Sequence, residues 1–276
     1  MRGSRTGAGR RYSLPARRHI LITGFPRCGT TLFHQMLVTS AAGFHFVPEE
    51  AKAERYIRRR QSYITKRPLD VFQIDDIFAA NRGRKKVDLV ILVRDSRGVV
   101  CSRHALVPDT YYIGYEIRYK ASRKGHGKLR DPGIVGIDRV IRQHLKDERF
   151  SNCVLLRFED LVLRTDEVQQ RLKDVLDLEY DASFSDFHKH PASQQSASAM
   201  NGVRPIETAR VDSWKATEHR ARIVEQFAEC PRLFDLLIEY GYEDDTTWFD
   251  DFCEGDYAEL LASRRTSITP LRTLMD

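Results

Sequence analysis

A loop bounded by two glycines, Gly24-Phe25-Pro26-Arg27-Cys28-Gly29-Thr30-Thr31, follows the apolar run Ile20-Leu21-Ile22-Thr23. The next segment, Thr30-Thr31-Leu32-Phe33-His34-Gln35-Met36-Leu37, reads as a helix. A strand that turns tightly on glycine into a helix aims backbone N–H groups and a helix N-terminus at one point, and such a point binds a phosphate-like anion. A loop of the nucleoside-triphosphate kind carries Lys-Ser or Lys-Thr after its second glycine. Here that slot holds Thr30-Thr31, and the cation lies inside the loop at Arg27. The loop therefore reads as built for a phosphate-like group in an arrangement other than Mg–ATP. Cys28 has two readings: a thiol whose pKa is lowered at a helix start, or a small residue that fits the turn.

A second segment points the same way. In Ile91-Leu92-Val93-Arg94-Asp95-Ser96-Arg97-Gly98-Val99-Val100-Cys101-Ser102, Arg94 stands where a buried strand ends and Ser102 follows eight residues later. A guanidinium can fork onto two oxygens of an anion while a hydroxyl donates to a third. Taken alone, Arg94 reads first as a structural pair with Asp95.

These residues need a frame. Apolar runs suited to buried parallel strands occur at His19–Thr23, Phe44–Val47, Val87–Val93 and Cys153–Phe158. Helical patterns lie between and after them, over Thr30–Ser40, Glu49–Gln61, Ser96–Leu106, Val135–Lys146 and Thr165–Leu176. The alternation predicts a doubly wound α/β domain: one parallel sheet of P-loop type with helices on both faces. Ligands in such sheets bind at the C-terminal strand ends, where Gly24 and Arg94 fall. Val107–Gly133 and His188–Gly202 read as loops or lids. A long amphipathic helix is expected from Thr217 to Ile238, bent near Pro231 and ended by Gly241.

The two motifs together resemble the signature of sulfotransferases that use 3′-phosphoadenosine-5′-phosphosulfate. Further segments share the resemblance: Leu155-Leu156-Arg157-Phe158-Glu159-Asp160-Leu161-Val162, Val203-Arg204-Pro205-Ile206, Ser213-Trp214-Lys215, and Leu236–Tyr242 with its final Tyr-Gly-Tyr. The likeness spans roughly residues 18–244 and is nearest in flavour to the tyrosylprotein-sulfotransferase-like branch, which also carries Arg in the first loop. It implies a sulfotransferase domain over 18–244; by composition the Arg-rich residues 1–17 read as a flexible basic arm, and residues 245–276, acidic and then basic, as a peripheral C-terminal extension.

The resemblance also implies roles. Arg27, Cys28, Gly29, Thr30 and Thr31 would form the 5′-phosphosulfate site, and Arg94 and Ser102 the 3′-phosphate site. Phe158, Ser198, Trp214 and Lys215 would complete the cofactor site, with Arg27 also stabilising the transferring group. No metal is expected. Phe158 lacks the hydroxyl of the Tyr usual there, Ser213 stands where a Lys is usual, and Lys215 would substitute. Either Ser198 or Ser196 would supply the hydroxyl ahead of the Pro turn. In that branch a Glu-Glu pair follows the second strand, which makes Glu50 the expected general base and Glu49 its runner-up. Read from sequence alone, the same two acidic residues suit a helix start, and His45 and His104 are further candidate bases.

Composition bounds the partners. The formal charge is +6, and no acidic residue precedes Glu49. That balance suits anionic ligands, but no basic stripe interleaved with aromatics points to nucleic acid. No apolar run is long enough for a membrane span. Five scattered cysteines, Cys28, Cys101, Cys153, Cys230 and Cys253, read as reduced thiols in a cytoplasmic protein. Lys52, Arg55, Arg58, Arg59 and Arg60 follow the Glu pair, with Lys52 and Arg55 as candidate contacts to an anionic acceptor, or as a solvated basic face. Tyr111, Tyr112, Tyr115 and Tyr119 suit an acceptor cleft or lid packing. The expected reaction moves a sulfuryl group to an acceptor hydroxyl. Its alternatives are a P-loop kinase using Mg-ATP, with Asp95 toward the metal, and a nucleotide-binding module without turnover.

Overall fold

The computed structural model describes residues 17–47, 49–102 and 133–253. Five parallel strands form one sheet: β1 (Arg18–Gly24), β2 (His45–Phe46), β3 (Tyr63–Lys66), β4 (Lys86–Val93) and β5 (Asn152–Arg157), in the order β2-β3-β1-β4-β5. The described helices are α1 (Thr30–Ser40), α2 (Glu54–Ile57), α3 (Ile74–Asn81), α4 (Ser96–Cys101), α5 (Ile134–His144), α6 (Phe158–Leu163), α7 (Thr165–Leu176), α8 (Gln194–Ala199), α9 (Arg220–Glu229), α10 (Arg232–Glu239) and α11 (Thr247–Cys253).

Nearly every successive residue of β1 and β4 is buried. Side chains alternate between the two faces of a strand, so uninterrupted burial means that both faces are covered, as expected for a parallel sheet. Ile20, Leu89, Val90, Ile91, Leu92 and Val93 are fully buried at the middle of this core.

Several expectations are corrected. The segment predicted as a helix over Glu49–Gln61 contains only the short α2, and a strand absent from the sequence reading, β3, follows it between β2 and β1. Of the basic residues in this segment only Arg55 lies in α2; Lys52, Arg58, Arg59 and Arg60 lie outside it. The stretch His188–Gly202 is not a plain loop but holds α8. The single long helix of Thr217–Ile238 is two, α9 and α10, separated at Cys230-Pro231; proline has no N–H to continue the helical ladder. Beyond Asp245, expected as peripheral, α11 buries Phe249 completely and packs its ring against Phe227 and Phe234. His104, Tyr111, Tyr112, Tyr115 and Tyr119, the far end of the helix expected over Ser96–Leu106 and most of the 107–133 stretch lie outside the described residues.

Candidate active site

The first loop leaves β1 at Gly24, whose φ is +143° and where a Cβ would stand 1.9 Å from the Leu92 carbonyl oxygen. Only glycine fits that approach. The Phe25 N–H donates to the same carbonyl at 3.0 Å, which locks the loop to β4. Gly29, at φ +84°, is the N-cap of α1, and no side chain caps that helix. A Cβ on Gly29 would lie 2.4 Å from the Phe158 ring. Arg27 takes a left-handed φ of 64° without being glycine. Cys28 is fully buried, and its thiol donates to the Phe25 carbonyl at 2.7 Å. Burial pushes that thiol up to about 12, which favours the residue that fits the turn over the reactive thiol.

The second motif meets the first. Arg94 donates to the Arg27 carbonyl at 3.2 Å, and its guanidinium lies over the Phe158 ring at 4.4 Å. Burial lowers Arg94 from the usual arginine range, opposed mainly by the Glu159 carboxylate. Gly98 leaves room for it: a Cβ there would stand 3.0 Å from Arg94 Nε. Asp95 is not its partner. That carboxylate caps α4 through the Arg97 N–H at 2.8 Å and pairs with the Arg97 guanidinium at 2.7 Å. At the other end of α4, Ser102 Oγ accepts from Arg27 Nε at 3.0 Å. Two segments far apart in sequence thus bring two guanidinium groups and a hydroxyl together.

A third group adjoins α1. Lys66 Nζ, at the end of β3, donates to Thr31 Oγ1 and to Glu50 Oε1, each at 3.2 Å. The lysine side chain is buried and that of Glu50 is 45% exposed. Lys66 is the functional candidate that sequence reasoning missed. Its signal, a cation closing a short Tyr-Ile-Thr strand, falls in a stretch after Gln61 to which the sequence reading gives no element. Behind it His34 is buried on α1, its pKa lowered to about 3 by burial and then by the charge of Lys66.

No family model matches the chain, and no curated protein matches it. Among solved structures, a sulfotransferase domain from the curacin biosynthetic pathway superposes with a TM-score of 0.50 at 16% identity, over 78% of this chain and 98% of that one. The chain has the fold of a sulfotransferase domain. A sulfotransferase domain from the Synechococcus PCC 7002 olefin synthase gives a TM-score of 0.48 at 13% identity, over 77% of this chain and 95% of that one.

In this sulfotransferase-domain fold the three groups open onto one cleft of about 1260 Å³. Its lining includes Arg27, Gly29, Thr30, Thr31, Glu49, Glu50, Lys66, Arg94, Ser102 and Phe158. Ser196 and Ser198 of α8 line the opposite wall, followed by most residues from Met200 to Ser213, Arg204 among them. The other candidates lie elsewhere. Cys28 is packed beneath the loop. Trp214 and Lys215 border a second, smaller hollow, and Lys215 pairs with Asp212 at 2.8 Å. Lys52 and Arg55 are exposed and do not line the cleft. His45, the other described histidine considered as a base, stacks beside Tyr63 with ring centroids 5.4 Å apart and is also outside the lining.

Proposed function

We propose that this chain is a sulfotransferase that uses 3′-phosphoadenosine-5′-phosphosulfate as donor and a hydroxyl group as acceptor. The observation that carries the reading is the meeting of the two motifs, in which Arg27 donates to Ser102 and Arg94 to the Arg27 backbone. A nucleotide bearing phosphates at both the 3′ and 5′ positions needs two adjoining anion sites, and guanidinium groups suit them. The cradle fits such a ligand, because glycine at 29 and 98 leaves open the space that a Cβ would take from Phe158 and Arg94. Arg27, Gly29, Thr30 and Thr31 would hold its 5′ end, Arg94 and Ser102 its 3′-phosphate, and Phe158 and Ser198 the walls. When bound, this donor supplies a sulfuryl group attached to a leaving phosphate.

The protein's part is charge placement and proton removal. Positioned cations supply much of the rate in transfers of this class. Glu50 would take the proton of the acceptor hydroxyl on its carboxylate. Lys66 holds that carboxylate beside Thr31 at the start of α1, which keeps the base next to the loop. Glu49 stands beside it on the same lip of the cleft. Lys52 and Arg55, exposed just beyond, favour an acceptor that carries negative charge. Its five cysteines, scattered along the chain with no CxxC pair, suit a cytoplasmic setting.

The test is a calorimetric titration of adenosine 3′,5′-bisphosphate and of ADP, both in EDTA. Tight binding of the bisphosphate with weak binding of ADP is expected. Equal affinities, or ADP binding that returns with magnesium, would overturn the donor assignment in favour of a kinase.

A further inference from the structure

The far wall of the cleft is a strap, residues 200–215, that arrives from α8 and ends at Trp214 and Lys215. Among the described residues, every hydrogen bond and ion pair made by residues 203–215 closes locally. Arg204 bonds the Asn201 carbonyl and pairs with Glu207, Arg210 pairs with Glu207, and Lys215 pairs with Asp212. Val203 and Ile206 rest on the core only as partly buried side chains. The firm long-range tie is Trp214, which is buried while the residues on either side of it are exposed.

Trp214 lies on a guanidinium. Arg97 presents one face to the Trp214 ring at 3.9 Å and is also within 4.5 Å of the Trp248 ring, whose plane is tilted 77° from that of Trp214. Its edge is filled as well. Nε bonds both oxygens of Asp95 at 3.0 and 3.1 Å, Nη2 bonds Asp95 at 2.7 Å, and Nη1 pairs with Glu243. The Arg97 side chain is only 4% exposed. A guanidinium with its fork occupied by carboxylates and its faces against indoles is held in one orientation.

Arg97 sits on α4, between the two residues assigned to the 3′-phosphate. Arg94, Gly98, Cys101 and Ser102 line the donor cleft, while Asp95 and Arg97 line the hollow behind it. The strap runs along the edge of this partition, since Ala209, Arg210 and Ser213 line the cleft while Val211, Asp212, Trp214 and Lys215 line the hollow. We infer that Arg97 is a positioning residue that fastens the strap over the donor cleft by gripping Trp214, with Trp248 of α11 as the second jaw. The strap is thereby tied to the helix that carries the 3′ site, and opening it means breaking the Arg97 stack. The inference rests on the donor reading for its effect on nucleotide release, but the fastening itself does not.

The test is Trp248→Leu, which removes one jaw and leaves the Arg97 ion pairs in place. Without ligand, hydrogen exchange of the amides in 200–215 should accelerate about tenfold, while those of β4 stay protected. Dissociation of adenosine 3′,5′-bisphosphate should accelerate by a similar factor, with turnover at saturating donor within about threefold of the parent. Unchanged strap exchange in the folded variant would overturn the inference. Should that variant not fold, Trp214→Leu, at the margin of the core, carries the same expectations and the same overturning result. Failure of the parent chain to bind the bisphosphate would sink the donor reading alone, because the exchange experiment needs no ligand.

Discussion

The Arg94 guanidinium lies 4.4 Å from the centre of the Phe158 ring, and that ring in turn occupies the space into which a Cβ on Gly29 would project. One aromatic side chain therefore supports both motifs. Its replacement should be felt at the nucleotide site before it is felt in the fold. Phe158→Ala should weaken binding of adenosine 3′,5′-bisphosphate by about tenfold, the worth of a partly buried cation–π contact. Phe158→Tyr keeps the ring and should retain the parent affinity. Calorimetric titration of both variants checks this.

Gly98 offers a cleaner separation of stability from binding. Alanine is favoured over glycine inside a helix by about 1 kcal/mol, so Gly98→Ala should leave the melting temperature unchanged or slightly higher. The added Cβ would stand 3.0 Å from Arg94 Nε, and the mobile partner, the guanidinium, must give way. Affinity for the bisphosphate should fall several-fold. A variant that melts lower and binds as before would contradict the geometry.

Glu50 and Lys66 make a paired prediction. Glu50→Gln should lower turnover by about 10²–10⁴-fold, the usual contribution of a general base, with bisphosphate affinity unchanged. Lys66→Met removes the donor that joins Glu50 to Thr31, a charged hydrogen bond worth about 1.5–3 kcal/mol. Turnover should then drop by about 10–100-fold. Steady-state rates at saturating donor measure both. Loss of rate in Lys66→Met alone would move the proton acceptor away from Glu50.

Two buried histidines set an acid limit. His19 and His34 titrate at about 3 in the folded chain against an ordinary 6.5, in each case first through burial and then through a nearby lysine, Lys85 or Lys66. The unfolded chain takes up protons below 6.5 that the folded chain refuses. Stability is therefore intact above 6.5 and is lost as the pH falls from 6.5 toward 3. Thermal melts should show a falling melting temperature across that window. His34→Leu, which deletes a buried ring nitrogen without a hydrogen-bond partner, should make the decline shallower.

Legibility from sequence followed the length of the apolar signal. The Ile20–Thr23 run and Val87–Val93 announce their strands because a strand covered on both faces reads as continuous hydrophobic sequence. The Thr30–Ser40 and Thr165–Leu176 helices appear with the expected bounds. The Tyr63–Lys66 strand does not announce itself. It has four residues, is followed within two by Pro68, and ends on two polar side chains. Thr65 is buried because its hydroxyl bonds His19, and Lys66 because its ammonium bonds Thr31 and Glu50. Those partners come from distant segments, so local pattern carries no trace of them. For the same reason Arg27, Arg94 and Ser102 were legible as residues while their mutual contact was not. Trp214 illustrates the converse: as a type and place in the sequence it suggests a nucleotide contact, yet its ring faces Arg97 behind the cleft.

The partition formed by Ser96–Cys101 also restricts how this chain can vary. A helix turns by about 100° per residue, and here residues 94, 98 and 102 look one way while 95 and 97 look the other. Substitutions at the remaining positions leave that phase alone. A single inserted or deleted residue between Arg94 and Ser102 rotates one end against the other, carrying the serine out of the cleft or the guanidinium of Arg97 off its indoles. The segment is thus a fixed-length spacer, open to changes of composition at some places and closed to changes of count.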